Sequence, residues 1–249
     1  MSGQVALTKA LIRTRAHEAL AYLRFLKIAC EKDALVTAIS GKKSLPLHKG
    51  LTHTLKAGLC LILYSAMEAA LVQLLDEMYE AIGNHCRSTD ELNAQLLLLV
   101  ARHFKSRSTD IDSGNTHTPL NECSFQIWRT DWANSNSREK RSASISGSVD
   151  SKAISDQLRR FGVLSATSAA PAHLSHNALQ TMKFRRNQLA HGDQSFAELG
   201  QSLSYQELCI DARNVFRVLA GVAKEVEMFL TDKRYRRTST LSLPLPNAA

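Results

Sequence analysis

Apolar residues recur every three to four positions along most of this chain, the spacing that lines one face of a helix. Over residues 4–32, Leu7, Leu11, Leu20, Leu23, Leu26 and Cys30 follow it, opposite a polar face with Arg13, Arg15, Arg24 and Lys27 that reads as solvated. Residues 51–82 break the pattern. Their first half is apolar all round and only the part after Leu75 is amphipathic, which predicts a helix at the centre of a bundle. Ser88-Thr89-Asp90-Glu91 has the spacing of a capping box and predicts a third helix, which Leu92, Leu96, Leu99 and Val100 carry to Phe104. A short helix is expected over Ser151–Phe161, ended by Gly162, and another over Leu174–His191, ended by Gly192. A second capping box, Ser204-Tyr205-Gln206-Glu207, opens the last helix. There Leu208, Ala212, Val215, Leu219, Val222, Val226 and Phe229 alternate steps of four and three, a heptad pattern for a long helix packed along its length.

Between these segments the pattern lapses in three places. Gly41, Pro46 and Gly50 punctuate a basic loop, and a Ser/Ala-rich loop covers 165–172. Residues 105–150 are rich in Ser, Thr, Asn and Asp, an insertion long for a bundle connection, with Trp128 and Trp132 at i,i+4 spacing as anchors onto the bundle. The expected organisation is one all-α domain over residues 1–232, with a polar insertion at about 105–150. A basic, disordered tail is expected over 233–249, beginning Lys233-Arg234-Tyr235-Arg236-Arg237.

Composition narrows this picture. The chain of 249 residues is 44% hydrophobic and 22% charged, with only 11 Gly and 5 Pro, as suits a helical globular protein. Its net charge of +8 favours anionic partners such as RNA, DNA or membrane surfaces. Cys30, Cys60, Cys86, Cys123 and Cys209 are odd in number and widely spaced, which argues against a disulfide framework or a metal knuckle and for a reducing, cytoplasmic setting. The N-terminus shows no signal-peptide core. The apolar run Ala57–Leu75 approaches membrane-span length, yet it contains Tyr64, Ser65, Glu68 and Gln73, so a core helix is expected and no membrane partner. Gly41-Lys42-Lys43-Ser44 lacks the first glycine of a phosphate loop, since position 36 is Val.

Two features carry candidate chemistry. Glu68 is a carboxylate inside an apolar helix, so it must find a partner, either a structural one or the arginine of the second feature. That feature is Lys183-Phe184-Arg185-Arg186-Asn187-Gln188-Leu189-Ala190-His191-Gly192. At 100° per residue Asn187 and His191 share one face, with Arg186 about a third of a turn away. RNA carries its own nucleophile, the ribose 2′-hydroxyl. A protein that cuts it need supply only proton transfer near neutral pH and positive charge where the phosphorane develops. A histidine and an arginine provide these. One imidazole does not easily serve as both base and acid, and a symmetric dimer would supply the second. The same residues also suit a capped basic helix end with no catalytic role.

Arg186-Asn187-Gln188-Leu189-Ala190-His191-Gly192 resembles the R-x4-6-H motif of the HEPN superfamily, including the Asn that follows the Arg in many of its nucleases. Leu63-Tyr64-Ser65-Ala66-Met67-Glu68-Ala69 is similar to the early core helix of the RiboL-PSP-type HEPN proteins. Ser146-Gly147-Ser148-Val149-Asp150 with Leu158–Gly162 resembles the segment ahead of their motif helix, and Ser195-Phe196-Ala197-Glu198-Leu199-Gly200 the stretch after it. Position 148 is Ser where that branch often has Asn. Asp193 stands where toxins silenced by nucleotidyl transfer have Tyr, so control of that kind is not implied. The resemblance implies a HEPN-type helical bundle, a homodimer with both motifs in one cleft, and a metal-independent, cofactor-free endoribonuclease leaving a 2′,3′-cyclic phosphate. Its setting would be a toxin–antitoxin or antiviral defence system, with a possible cognate antitoxin or defence partner. Arg186, Asn187 and His191 are the implied catalytic residues, with Glu68 and Arg185 as accessory candidates. Lys183, Lys233, Arg234, Arg236 and Arg237 are candidates for RNA contact. The alternative is an inactive HEPN module that binds RNA, a nucleotide or a partner protein.

Overall fold

The computed structural model describes residues 4–31, 34–37, 40–41, 44–107, 149–164 and 177–237. Among them are seven α-helices: α1 (Ala6–Ala29), α2 (Lys49–His85), α3 (Ala94–Arg107), α4 (Ser151–Arg160), α5 (Ala178–His191), α6 (Phe196–Gln201) and α7 (Tyr205–Thr231). The fold is all-α, as the pattern predicts. Trp128, Trp132, most of the polar insertion, the 165–172 loop and residues 238–249 lie outside the described residues.

The 37 residues of α2 run about 55 Å and form the axis of the bundle. Leu59, Cys60, Leu63, Met67, Leu74, Met78 and Ile82 are all within 2% of complete burial, and α1, α5, α6 and α7 pack against the helix. By length and composition α2 is long and apolar enough to cross a membrane, and here most of its apolar window is covered by the other helices. The carboxylate that α2 buries most deeply is Glu77, not Glu68. It accepts hydrogen bonds from the Leu7 and Thr8 amides, both at 2.9 Å, and from the Thr8 hydroxyl. Those amides are unpaired donors at the start of α1, whose Val5 makes no side-chain cap, so an acid of α2 caps α1 from the side.

Several expectations need correction. In α1 the buried line is Val5, Thr8, Ile12, Ala19, Leu23, Leu26 and Ala29, while Leu7 and Leu20 are exposed. The Glu77 cap fixes the rotation of the helix and overrides the leucine count. Between α1 and α2 the expected loop contains a short antiparallel hairpin, β1 (Leu35–Thr37) and β2 (Ser44–Pro46), pairing Val36 with Leu45. The Ser88–Glu91 box does not start α3. It makes one 3₁₀ turn over Thr89–Glu91, because Glu91 turns back to accept from the Arg87 amide (3.0 Å). Asn93 starts the helix instead, its side chain accepting from the Leu96 amide at 2.9 Å.

The basic segment after α7 begins as folded chain. Tyr235 is 1% exposed and packs edge-on to Phe229, and its carbonyl accepts from the Asn93 amide at 2.8 Å. A cross-bridge pairs Leu92 with Arg236. The expected boundary at 233 therefore falls inside an ordered turn that runs to residue 237. In α7 all seven heptad residues are buried as expected. The short helix α6 was not foreseen, although Ser195 and Glu198 make a complete capping box with the same signature as Ser204 and Glu207.

Gly200 marks the closest approach between α6 and α2. A Cβ there would lie 1.8 Å from the His53 carbonyl oxygen. Gly→Ala inside a helix ordinarily gains up to about 1 kcal/mol. Gly200→Ala should instead lose about 3 kcal/mol, as overpacking against backbone does. Urea denaturation checks the sign; a stabilised variant would contradict the packing of α6 on α2.

Candidate functional site

α5 is held in place by two ion pairs and one stack. Arg185 reaches inward to Asp211 of α7 at 2.5 Å, with both side chains about 15% exposed (14% and 16%). Beneath them lies Cys60 of α2; burial pushes its thiol up to about 11 although Arg185 beside it acts the other way. A step of two residues on a helix turns the side chain by about 200°. Lys183 accordingly points elsewhere, to Asp150 at 2.7 Å. Asp150 is also the N-cap of α4, accepting from the Ala153 amide at 2.7 Å. Burial would raise the Asp150 carboxyl, but hydrogen bonds from Lys183 and the Ala153 and Lys152 amides outweigh it and hold the group below its ordinary value.

These contacts leave Arg186 between the two anchored directions. Its guanidinium lies 5.4 Å from the ring centre of Tyr64, over the α2 surface, and donates to the Asn187 side-chain oxygen at 3.3 Å. Tyr64 is 3% exposed. Burial pushes its phenol up, Glu68 one turn further along α2 does the same, and the Val149 backbone and Arg186 oppose them. The half-buried Glu68 carboxylate thus stands beside Tyr64, under the arginine it was expected to position. Tyr64 itself was missed as a site residue. Its signal was an aromatic ring inside an apolar run, one turn before the conspicuous glutamate.

His191 is the last residue of α5 and is exposed. Gly192 follows in the left-handed region at φ 77°, and the Gln194 amide closes the end on the Gln188 carbonyl at 3.3 Å. The helix ends where the spacing predicts, and the imidazole is presented to solvent. The structure therefore brings Arg186, Asn187, Tyr64 and Glu68 together and sets His191 one turn beyond Asn187. Among the described residues no group of three or more His, Cys, Asp or Glu side chains could hold a metal ion.

The other candidates fall elsewhere. Arg185 and Lys183 are committed to the structural pairs just described. Arg236 donates to the His85 carbonyl at the end of α2 (2.6 Å), and Arg234 lies over Phe229 at 5.5 Å. Lys233 and Arg237 are exposed in the same turn, where the Arg237 amide donates to Glu91 at 2.8 Å. Along α2 the distance from Tyr64 to His85 is about 30 Å, so this cluster does not join the α5 site within one chain.

A family model described as HEPN_MAE_28990-like HEPN matches residues 14–235. The chain belongs to the HEPN superfamily. The match runs from α1 to the docked turn after α7, so this HEPN domain includes the helices on both sides of the motif. No curated protein and no solved structure gives a significant match. Membership points to a nuclease or RNA-related function.

Two substitutions separate anchoring from chemistry. Arg185→Ala strands the Asp211 carboxylate and should cost about 3 kcal/mol or more in denaturation, whereas Arg186→Ala should cost under about 1 kcal/mol. Equal losses would overturn the division of roles. Asp150→Asn keeps a capping side chain but removes the charge. The stability it forfeits should be fully present above about pH 3.9, the unfolded-state pKa, and should vanish as pH falls through the depressed native value. A gap between wild type and variant that widened in acid would contradict the pairing.

Proposed function

We propose that this HEPN protein is a metal-independent endoribonuclease whose working site is assembled from two α5 motifs in a homodimer. The arrangement of Arg186 is the observation that carries the reading. Its guanidinium is preset over Tyr64 and against Asn187, and His191 faces solvent at the end of the same helix. A preset cation stabilises developing phosphorane charge without reorganising at the moment of reaction. His191 would take the proton from the 2′-hydroxyl, or give one to the leaving 5′-oxygen. Bond making at phosphorus from the 2′-oxygen and bond breaking to the 5′-oxygen then leave a 2′,3′-cyclic phosphate and a free 5′-hydroxyl. The nucleophile belongs to the substrate, so the chemistry demands neither a metal nor a covalent protein intermediate. The imidazole of a partner copy would fill the acid or base role that a single His191 leaves vacant.

A toxin or antiviral defence effector is the setting we propose, in a cytoplasmic compartment. Uncontrolled RNA cleavage harms its own cell, so such a protein would be paired with an antitoxin or held inactive until triggered. Tyr64 and Glu68 act as positioning residues beneath Arg186.

Purified protein should cut RNA in EDTA and leave cyclic phosphate ends, detectable by their resistance to ligation until the phosphate is opened and removed. His191→Ala and Arg186→Ala should each lower kcat by about 10²-fold or more while melting with wild type. Cleavage that survives in both variants would sink the site assignment. Salt-sensitive RNA binding with no cleavage by wild type would favour the inactive module.

A further inference from the structure

A cavity of about 1100 Å³ opens where the end of α1, the β1–β2 hairpin, the first turns of α2 and the end of α6 meet. That is the scale of small-molecule sites, roughly 300–1000 Å³, and far more than a single inorganic anion fills. Four contacts hold its walls in place. The Leu47 amide donates to the Ala34 carbonyl at 2.9 Å, and the Thr52 hydroxyl to the Ala29 carbonyl at 3.2 Å. Lys56 donates to the Leu203 carbonyl at 2.8 Å, and Gly200 lies against the His53 carbonyl. The cavity is therefore part of the packed fold.

Its two walls differ in chemistry. On α2, Lys49, Thr52, His53 and Lys56 all line it, at the i, i+3, i+4, i+7 spacing that makes one helix face. With 1.5 Å of rise per residue the two lysines stand about 10 Å apart along the helix, with His53 between them. His48 lies at the edge of this stripe with Nδ1 committed to the Leu51 amide at 3.2 Å, so its remaining donor is Nε2–H. No carboxylate among the described residues forms an ion pair with Lys49 or Lys56. Glu207 feels the charge of Lys56 but is bound to the Ser204 amide at 2.8 Å, and Glu31 is the one acid among the described lining residues. The hairpin wall is apolar. Leu35 and Pro46 are directly opposed across the two strands, so their side chains share one face of the hairpin, and Leu47 extends the lining.

We propose that this cavity binds a small organic phosphate, with the phosphoryl group on the Lys49–His53–Lys56 stripe and a flat apolar body against Leu35 and Pro46. Lysine ammonium groups act on phosphate as compact point charges and impose no planar geometry, which suits a tetrahedral dianion. Two cations and two imidazoles against one acid balance such a dianion better than a single carboxylate. The polar and apolar walls belong to different elements on either side of a cleft. An occupant must enter between them, whereas a bilayer or a broad protein surface would reach only the rim. Lys56, the stripe's last residue, lies about 12 Å along α2 from Tyr64. The site is therefore separate from the α5 motif, and it does not depend on the nuclease reading.

Calorimetry tests this with the full chain carrying Arg186→Ala and His191→Ala, so that the α5 motif does not take up the probe. Naphthyl phosphate should bind at least about tenfold tighter than inorganic phosphate, the difference coming from burial of the ring on the hairpin wall. Lys49→Glu should weaken naphthyl phosphate binding at least about tenfold, while Lys49→Arg keeps it. Lys49 is exposed and opens α2, where an acid favours the helix, so the charge reversal does not threaten the fold. Leu35→Ser should remove the advantage of naphthyl phosphate and leave the affinity for inorganic phosphate unchanged. Equal affinities for the two phosphates, indifferent to Lys49→Glu, would mean an adventitious ion only and overturn the site. Absence of naphthyl phosphate binding in the low millimolar range would overturn it as well. So would binding by wild type that disappears in the double variant, which would place the probe at α5. Finally, Lys49→Glu could abolish binding of a fluorescein-labelled oligoribonucleotide and leave naphthyl phosphate untouched. The stripe would then be an RNA contact, and the proposal would fall.

Discussion

Everything in this bundle answers to the need to cover α2, a 37-residue helix whose central surface is apolar on every side. Water cannot face such a surface cheaply, at roughly 25 cal/mol per Å² of apolar area, so α1, α5, α6 and α7 close around it. The covering helices are then registered by polar contacts that α2 or its neighbours provide. Glu77 sets the rotation of α1, Gly200 lets α6 approach the His53 carbonyl, and Arg185 ties α5 to α7 over Cys60. Each is a buried or half-buried polar group or a missing side chain, and each has only one placement that satisfies it.

The candidate site follows from that registration. With Lys183 drawn to Asp150 and Arg185 to Asp211, the next side chain on α5 emerges over Tyr64. Arg186 therefore arrives at its position with no deep burial of its own. The structural pairs made by Lys183 and Arg185 explain why three basic residues so close in sequence take separate positions. They also explain how the helix end can present His191 to solvent without fraying, since its anchoring lies two turns back and Gly192 terminates it cleanly.

Much of this was legible in the sequence, in uneven ways. The period of α7 and the all-round apolarity of α2 announced both helices, because those signals are sums over many residues. The end of α5 was legible because only glycine enters the left-handed cap readily. What failed were several inferences that turned on a single polar residue's partner, although the Ser204–Glu207 capping box formed as expected. The capping signature at Ser88–Glu91 lost to the closer pairing of Glu91 with the Arg87 amide, and Glu77, the acid of α2 that caps α1, went unnoticed beside Glu68. Arg236 looked like a ligand contact and instead closes the end of α2 on the His85 carbonyl. Local spelling does not reveal a partner that lies tens of residues away. The same limit hid Tyr64 under Arg186.

One chain holds either half a site or a complete one, and mixing decides between them directly. Wild-type protein is combined with rising proportions of His191→Ala chains, subunits are allowed to exchange, and total RNA cleavage is measured. If two imidazoles must meet, activity falls with the square of the wild-type fraction. Activity that falls only linearly with that fraction would mean each α5 end acts alone, and would contradict the composite site.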